Sequence, residues 1–320
     1  MKTTANRDLK ASQTDTPIIW AVGGGKGGVG KSIVSILLAL SLARRGHSTI
    51  LVDADLGAAN LHTLMGIKTP VRTLNDFLNR KYRQLRQICI KTEVDNLGLI
   101  CGASEVLTMA NLQFAQKTKI FKSIQTLPAR HVVLDLGAGA SFNVLDFFLI
   151  AHFPIVVLTS QPVSIQNAYA FVRNAVYRRL TRTVSQKPSV LELIKAAMDP
   201  KNENQLRTIQ ELLAAVENAS GSKYSSILRE SVGNIKPLLV TNMIRHENEQ
   251  KAARIIQMVA QKYLTVQARD LGSIKWDAAV AGAVSEMVPI NKLPRQTPAL
   301  QNANEIIAKT LTGDEGAPSN

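Results

Sequence analysis

A glycine-rich segment with two lysines and a serine, Gly23 to Ser32, is the strongest chemical signal in the sequence. Its last eight residues fit the pattern G-x-x-x-x-G-K-[ST]. In that pattern backbone N–H groups surround a phosphate, the lysine contacts the outer phosphates and the hydroxyl ligates Mg²⁺. The segment follows a short apolar run and opens a helix, whose N-terminus adds positive potential. The predicted phosphate contacts are Gly25, Lys26, Gly27, Gly28, Val29, Gly30, Lys31 and Ser32.

Three carboxylates at the ends of strand-like runs are the other candidate groups. Asp53 and Asp55 follow one apolar run, and Asp135 ends another. A carboxylate that faces bound phosphates can orient an attacking water or hold magnesium-bound water. Asp53 and Asp55 are two residues apart, so in an extended strand they would point the same way. For Asp135 the alternative is an ordinary turn-forming residue.

Apolar strand-like runs alternate with segments of helical length along most of the chain. Fully apolar strands separated by helices predict an α/β fold, a mostly parallel doubly wound sheet with helices on both faces. Ligands of such sheets bind at the carboxyl ends of the strands. The glycine-rich segment, the three aspartates and Asn242 all fall there. The runs are Ile18–Val22, Thr49–Val52, Leu97–Cys101, His131–Asp135, Pro154–Thr159 and Leu238–Thr241.

We divide the chain into a flexible N-terminus (1–17), one nucleotide-binding domain (18–312) and a frayed tail (313–320). Residues 181–234 interrupt the strand rhythm with helix-like segments. We expect a helical insertion rather than a separate domain, because 54 residues bury little core of their own. Its apolar helix faces leave two alternatives, cover for the core or a surface that docks a partner.

The composition excludes several classes of protein. The chain has 320 residues, of which 45% are hydrophobic and 19% charged, as in a globular protein. Its two cysteines, Cys89 and Cys101, are too few for a disulfide scaffold or a zinc ribbon, so we predict buried free thiols. No apolar run reaches the about 20 residues that span a bilayer, and no signal peptide is visible. We therefore expect a cytoplasmic protein.

The net charge of +14 is the unusual feature of the overall composition, and it permits binding to a nucleic acid or to an anionic membrane. Two runs, Lys68–Lys91 and Arg173–Lys187, concentrate basic residues. They can contact DNA phosphates or lipid headgroups, or they can be solvated helix faces. The five histidines show no ligand spacing, so we predict no metal besides Mg²⁺.

The glycine-rich segment resembles the deviant Walker A motif of the MinD/ParA group of P-loop ATPases, because Lys26 precedes Lys31 by five residues. Asp53–Leu61 and Asp135–Gly139 look most like the FlhG (FleN) branch, whose members regulate flagellar number and placement. Gln161–Tyr169 is similar to that branch's Pro-x-Ser-Ile-x-x-Ala-Tyr segment.

Two later segments resemble the part of this family that holds the nucleotide base. Leu239–Asn242 is similar to the strand that contacts the base, and Leu271–Asp277 corresponds to the family's Gly-x-Ile-Pro-x-Asp. In this chain Lys275 stands where that pattern has proline. The resemblance implies that Asn242 and Asp277 contact the base of the nucleotide.

The resemblance also implies an activity. It implies a slow, Mg²⁺-dependent ATPase that forms a homodimer when it binds ATP. An unidentified protein partner would stimulate hydrolysis, and the cycle would control the placement or number of a structure such as the flagellum. The alternative is a ParA-like partition ATPase whose ATP dimer binds DNA non-specifically. Either would be cytoplasmic, at times peripheral to the membrane or the nucleoid.

The same resemblance assigns roles to the residues of the site. The implied catalytic residues are Lys26, Lys31 and Asp55. Lys26 reaches the nucleotide of the partner subunit, and Asp55 positions the water. The residues implied to bind magnesium are Ser32, Asp53 and Asp135, and Gly137 is implied to sense the γ-phosphate.

Overall fold

A computed structural model describes residues 16–55, 57–102, 114–199 and 206–313. The predictions for residues 1–15 and 314–320 lie outside the described residues. The strands are β1 (Ile18–Gly23), β2 (Thr49–Ala54), β3 (Ile90–Lys91), β4 (Leu97–Ile100), β5 (His131–Leu136), β6 (Phe153–Leu158), β7 (Leu238–Ile244) and β8 (Arg269–Lys275).

Helices connect these strands, and a π-helical turn, Ala260–Leu264, continues one of them. The helices are α1 (Lys31–Arg44), α2 (Leu61–Leu64), α3 (Leu74–Leu78), α4 (Phe114–Ile124), α5 (Phe142–Leu149), α6 (Pro162–Thr183), α7 (Pro188–Met198), α8 (Ile209–Ser220), α9 (Ser222–Gly233), α10 (Lys251–Val259), α11 (Ala278–Ser285) and α12 (Pro298–Gly313).

The strands form one sheet in the order β3-β4-β2-β5-β1-β6-β7-β8. Every neighbouring pair is parallel except β3 with β4. The predicted mostly parallel, doubly wound α/β fold is therefore confirmed. The apolar runs did not predict β3 and β8, because both lie at sheet edges, where strands are short or carry polar residues.

Both faces of the sheet are covered, which explains why its central strands are apolar throughout. In β1, Ile19 and Ala21 belong to one core cluster, whereas Trp20 and Val22 belong to the other. Helices α1 and α12 cover the second face, and α4 to α10 cover the first. This layering brings the carboxyl ends of β1, β2 and β5 together at one edge.

The extra helices after α6 pack onto the first face of the sheet. Helix α6 runs to Thr183, so Thr181 belongs to it, and the additional segment consists of α7, α8 and α9. Apolar side chains of all three helices, such as Val190, Leu212 and Leu228, lie in the same core cluster as α6. The apolar faces that suggested partner docking thus cover the core.

The second basic run is held by internal partners. The buried carboxylate of Asp146 in α5 accepts two hydrogen bonds from Arg178 at 2.8 Å, and one each from Lys117 at 2.6 Å and Arg182 at 3.2 Å. Arg173 donates to main-chain carbonyls at the end of α7. Two arginines of this run therefore share one internal carboxylate, and contact of the run with DNA or lipid stays a prediction.

We expect Asp146→Asn to lower the free energy of unfolding by about 2–3 kcal/mol at neutral pH, since three cations lose their anion. The value stays below that of a fully buried pair because the side chain of Arg182 is 46% exposed. Glu93→Gln, which breaks an exposed pair with Lys292, is the control with little expected effect. Urea unfolding of both variants checks the difference.

The stabilisation that Asp146 provides should also depend on pH. Burial by itself raises the pKa of Asp146, but hydrogen bonds from Arg178 and Lys117 hold that pKa below its ordinary value. The stabilisation is therefore present above the unfolded pKa of about 4 and is lost as the pH falls through the folded pKa. Equal stability of wild type and Asp146→Asn at pH 7 would contradict the cluster's role.

Two further expectations concern the thiols and the membrane. Cys101 is buried and Cys89 half-buried, both are free, and burial raises the pKa of both thiols. Within the described ranges, no helix is both long enough and apolar enough to cross a bilayer.

Candidate functional site

The glycine-rich loop between β1 and α1 has no room for side chains at several of its positions, of which two are informative. A Cβ on Gly25 would collide with the main-chain carbonyl of Asn167 in α6. Gly30 has a φ of 84°, and a Cβ there would collide with the side-chain amide of Asn242. The loop is thus held between α6 and the end of β7, with the first turn of α1 behind it.

The two lysines of the loop have opposite environments. Lys31 is 8% exposed, and its Nζ donates to the carbonyl of Lys26 at 3.3 Å. Burial lowers the pKa of Lys31, while the charges of Asp135 and Asp55 oppose this shift. The side chain of Lys26 is exposed. Lys31 therefore lies among the acidic groups of the site, whereas Lys26 faces solvent.

A hydroxyl and a carboxylate that suit magnesium meet behind the loop. Asp135 Oδ1 accepts a hydrogen bond from Ser35 Oγ at 2.9 Å, and the hydroxyl of Ser32 lies near enough to this buried carboxylate to lower its pKa. Asp53 lies directly beside Asp135 in the register of β2 and β5. Burial raises the pKa of both carboxyls, and the neighbouring charge raises that of Asp53 further. A divalent cation would offset this crowding of charge, so the donor set fits Mg²⁺.

Asp53 has a second use that the sequence did not suggest. Its Oδ1 accepts the N–H of Asp55 at 3.2 Å, and its Oδ2 accepts the N–H of Leu61 at 3.0 Å. The carboxylate therefore holds the segment between β2 and α2 against the sheet. Its place among the magnesium ligands stays a prediction.

Asp55 lies just beyond the end of β2, where the extended geometry stops. Its Oδ1 accepts N–H groups of Gly57 and Ala58 at 3.2 and 3.0 Å. Among the described residues, its Oδ2 accepts no hydrogen bond. A Cβ on Gly137 would lie 3.0 Å from Asp55 Oδ1, so the segments after β2 and β5 touch here. One oxygen anchors the loop and the other can orient a water.

The two residues assigned to the base contact the protein's own backbone. Asn242 is buried, and its Nδ2 donates to the carbonyl of Val29 at 2.9 Å, which fixes the loop. Asp277 caps α11 through the N–H of Ala279 and accepts the N–H of Ala299 at the start of α12. These hydrogen bonds give both residues a structural role. Their contacts with the base of the nucleotide stay predictions.

The replacement of proline by Lys275 has a visible consequence. The backbone N–H of Lys275 donates to Asn302 Oδ1 at 3.2 Å, a bond that proline cannot make. Next to it, the guanidinium of Arg245 lies 4.4 Å from the ring centroid of Trp276. This stacked pair follows the ends of β7 and β8, near the predicted base site.

Two contributors to the site escaped the sequence analysis. Ser35 binds Asp135, and Asn167 packs against Gly25. A polar residue one turn after Ser32, in a helix that is mostly apolar, is a signal for Ser35. Nothing local marks Asn167, because its contact depends on how α6 crosses the sheet.

Two curated proteins are similar to part of this chain. Antiactivator FleN of Pseudomonas aeruginosa is 36% identical over 155 residues, or 48% of this chain and 54% of that protein. Flagellum site-determining protein YlxH of Helicobacter pylori is 33% identical over 160 residues, or 48% and 52%. The chain thus spans about half the length of these curated relatives.

Solved structures agree on the fold. The cell division ATPase MinD of Pyrococcus furiosus aligns with a TM-score of 0.60 at 18% identity, covering 92% of this chain and 99% of that one. MinD of Pyrococcus horikoshii, complexed with Mg-ADP, aligns with a TM-score of 0.60 at 19% identity, covering 95% and 100%.

A family model matches most of the chain. It is described as the CobQ/CobB/MinD/ParA nucleotide binding domain, and it matches residues 20–290, which include the loop, all three aspartates and Asn242. The chain therefore belongs to the MinD/ParA family of P-loop ATPases and most resembles the FleN and YlxH (FlhG) proteins among the relatives described here.

Proposed function

We propose that this protein is an ATP-dependent dimerising switch of the MinD/FlhG type, whose hydrolysis of ATP controls the placement or number of a structure such as the flagellum. The observation that carries the proposal is the contrast between the loop lysines. Lys31 is buried beside Asp135, whereas Lys26 extends to solvent and can reach a second subunit. The flagellar names of two relatives support the cellular role.

The chemistry follows from the positions of the side chains. Lys31 neutralises phosphate oxygens of ATP in its own subunit, and Ser32 and Asp135 would hold Mg²⁺, which supplies further charge stabilisation there. Asp55 orients the attacking water through the oxygen that does not anchor the loop. Lys26 of the second subunit would stabilise charge on the transferring phosphoryl group, as an arginine finger does.

Dimer formation is the direct test of the switch. We use Asp55→Ala because it should bind ATP and hydrolyse it only slowly. Light scattering should show twice the monomer mass for this variant with Mg-ATP and the monomer mass with Mg-ADP. In the same background Lys26→Ala removes the charge offered to the partner subunit and should weaken the dimer without loss of bound ATP. A monomer with both nucleotides would rule out the ATP-dependent dimer, and Lys26 would then be an ordinary solvated lysine.

The cellular role needs a separate measurement. In its native host, replacing the protein by Asp55→Ala should alter flagellar number or position while septa stay in place. An unchanged flagellar pattern would contradict the flagellar part of the proposal and leave the ATP switch standing.

A ParA-like role on DNA is the second candidate, and the net charge of +14 favours it. The run Lys68–Lys91 keeps its basic side chains exposed, although Lys81 pairs with Asp76 and Arg72 donates to the carbonyl of Gln87. DNA binding by the ATP dimer that falls by orders of magnitude between low and moderate salt would support this role.

A further inference from the structure

A cavity of about 270 Å³ lies between the C-terminal end of α1 and the first half of α12. Arg44, Arg45 and Arg295 line it together with polar groups of Ser41, Gln301 and Asn304, and no acidic residue is among its lining. Helix α1 begins at the glycine-rich loop and ends here, so this cavity is separate from the nucleotide site.

Two of these arginines are held by neutral acceptors. Arg44 donates to the carbonyl of Asn291 at 3.3 Å, and Arg45 donates to the side chain and the carbonyl of Asn304 at 2.7 and 3.1 Å. These bonds use only a few of the five N–H donors that each guanidinium carries. Within the described ranges, no hydrogen bond or ion pair holds the side chain of Arg295.

The positive charge in this cavity is not compensated. The Asp146 cluster shows the usual arrangement, in which cations surround a buried carboxylate. Here, among described residues, none of the three arginines forms a salt bridge. Burial and the nearby charge of Arg295 hold the pKa of Arg44 below its ordinary value. The C-terminus of α1 contributes only about half a negative charge, against three positive ones.

We propose that this cavity binds a phosphate group, either free or carried by a larger molecule. A phosphate supplies up to two negative charges and several acceptor oxygens, which planar guanidinium groups bind in a bidentate manner. The proposal does not depend on ATP hydrolysis.

Isothermal titration of inorganic pyrophosphate at fixed ionic strength tests the site on the full chain. We expect two binding events in the wild type, one at the glycine-rich loop and one at the cavity. Lys31→Ala should lose the first event and keep the second. Arg295→Gln should weaken the second about tenfold or more while ATP binding stays unchanged. Because Arg295 is exposed, its replacement does not threaten folding.

Arg130→Gln is the matched control, since it removes the same charge from an exposed arginine outside the cavity. A cavity event that is absent from Lys31→Ala would overturn the proposal. So would equal weakening by Arg130→Gln and Arg295→Gln, which would indicate general attraction of anions by a basic surface.

Vesicles distinguish the source of the phosphate. Co-sedimentation with phosphatidylglycerol vesicles that Arg295→Gln abolishes would identify a lipid headgroup. Pyrophosphate binding without vesicle binding would identify a soluble phosphorylated compound.

Discussion

Asp55→Ala is expected to leave ATP binding intact and to slow ATP turnover by about 10²–10⁴-fold. In the described part of the chain, no hydrogen bond or ion pair joins Asp55 to Lys31 or to the glycine-rich loop, so the ground-state complex should form. What the variant loses is the carboxylate oxygen that orients water, because Oδ1 already accepts the N–H groups of Gly57 and Ala58. A loss that appears only in the transition state lowers turnover and not affinity.

Isothermal titration with ATP and a phosphate-release assay separate these two effects. Asp55→Asn is the matched control, since its amide oxygen can still anchor Gly57 and Ala58 while the negative charge is gone. We expect Asp55→Asn to be as slow as Asp55→Ala. Turnover at the wild-type rate in Asp55→Asn would mean that Asp55 acts by anchoring the loop, and wild-type turnover in Asp55→Ala would end the water-positioning assignment.

Lys31→Ala should weaken ATP binding by about 100-fold or more, because a buried cation that faces the phosphates is removed. The side chain is 8% exposed and lies near Asp135 and Asp55. Without the ammonium group, the ATP phosphates would meet the carboxylates of Asp135 and Asp55 with one positive charge fewer to offset the repulsion. The loss therefore includes repulsion as well as the missing contact.

The other lysine of the loop supplies the control. Lys26→Ala removes an exposed side chain five residues away, and the monomer should bind ATP with wild-type affinity. Circular dichroism of Lys31→Ala checks that the fold survives the loss of its bond to the carbonyl of Lys26. Equal losses of ATP affinity in both variants would contradict the division of labour between the two lysines.

Much of the site could be predicted because its signals are local. The spacing of the two lysines in the glycine-rich segment, the serine after Lys31 and the aspartates at strand ends are each visible in a few neighbouring residues. Apolar strands alternating with helices then placed these groups at one edge of a parallel sheet. The sheet order confirms that reasoning, since β1 lies directly beside β5, and β5 beside β2.

Other features could not be predicted from local pattern. Arg178 is one of several arginines in a basic run, and only the packing of α5 against α6 brings it to Asp146. The apolar residues of α8 indicate burial but not its partner, and the structure shows that they face the core. A charged or apolar helix face has the same sequence whether a partner or the protein itself covers it.

The sequence by itself therefore determined the phosphate loop, the acidic strand ends and the α/β class, because each is encoded in residues close along the chain. Tertiary structure alone decided that Asn242 fixes the loop at Val29, that Asp277 ties α11 to α12, and that arginines from α1 and the segment before α12 line one cavity. Such contacts join residues that are distant in the chain, and only the crossing of helices over the sheet sets which of them meet.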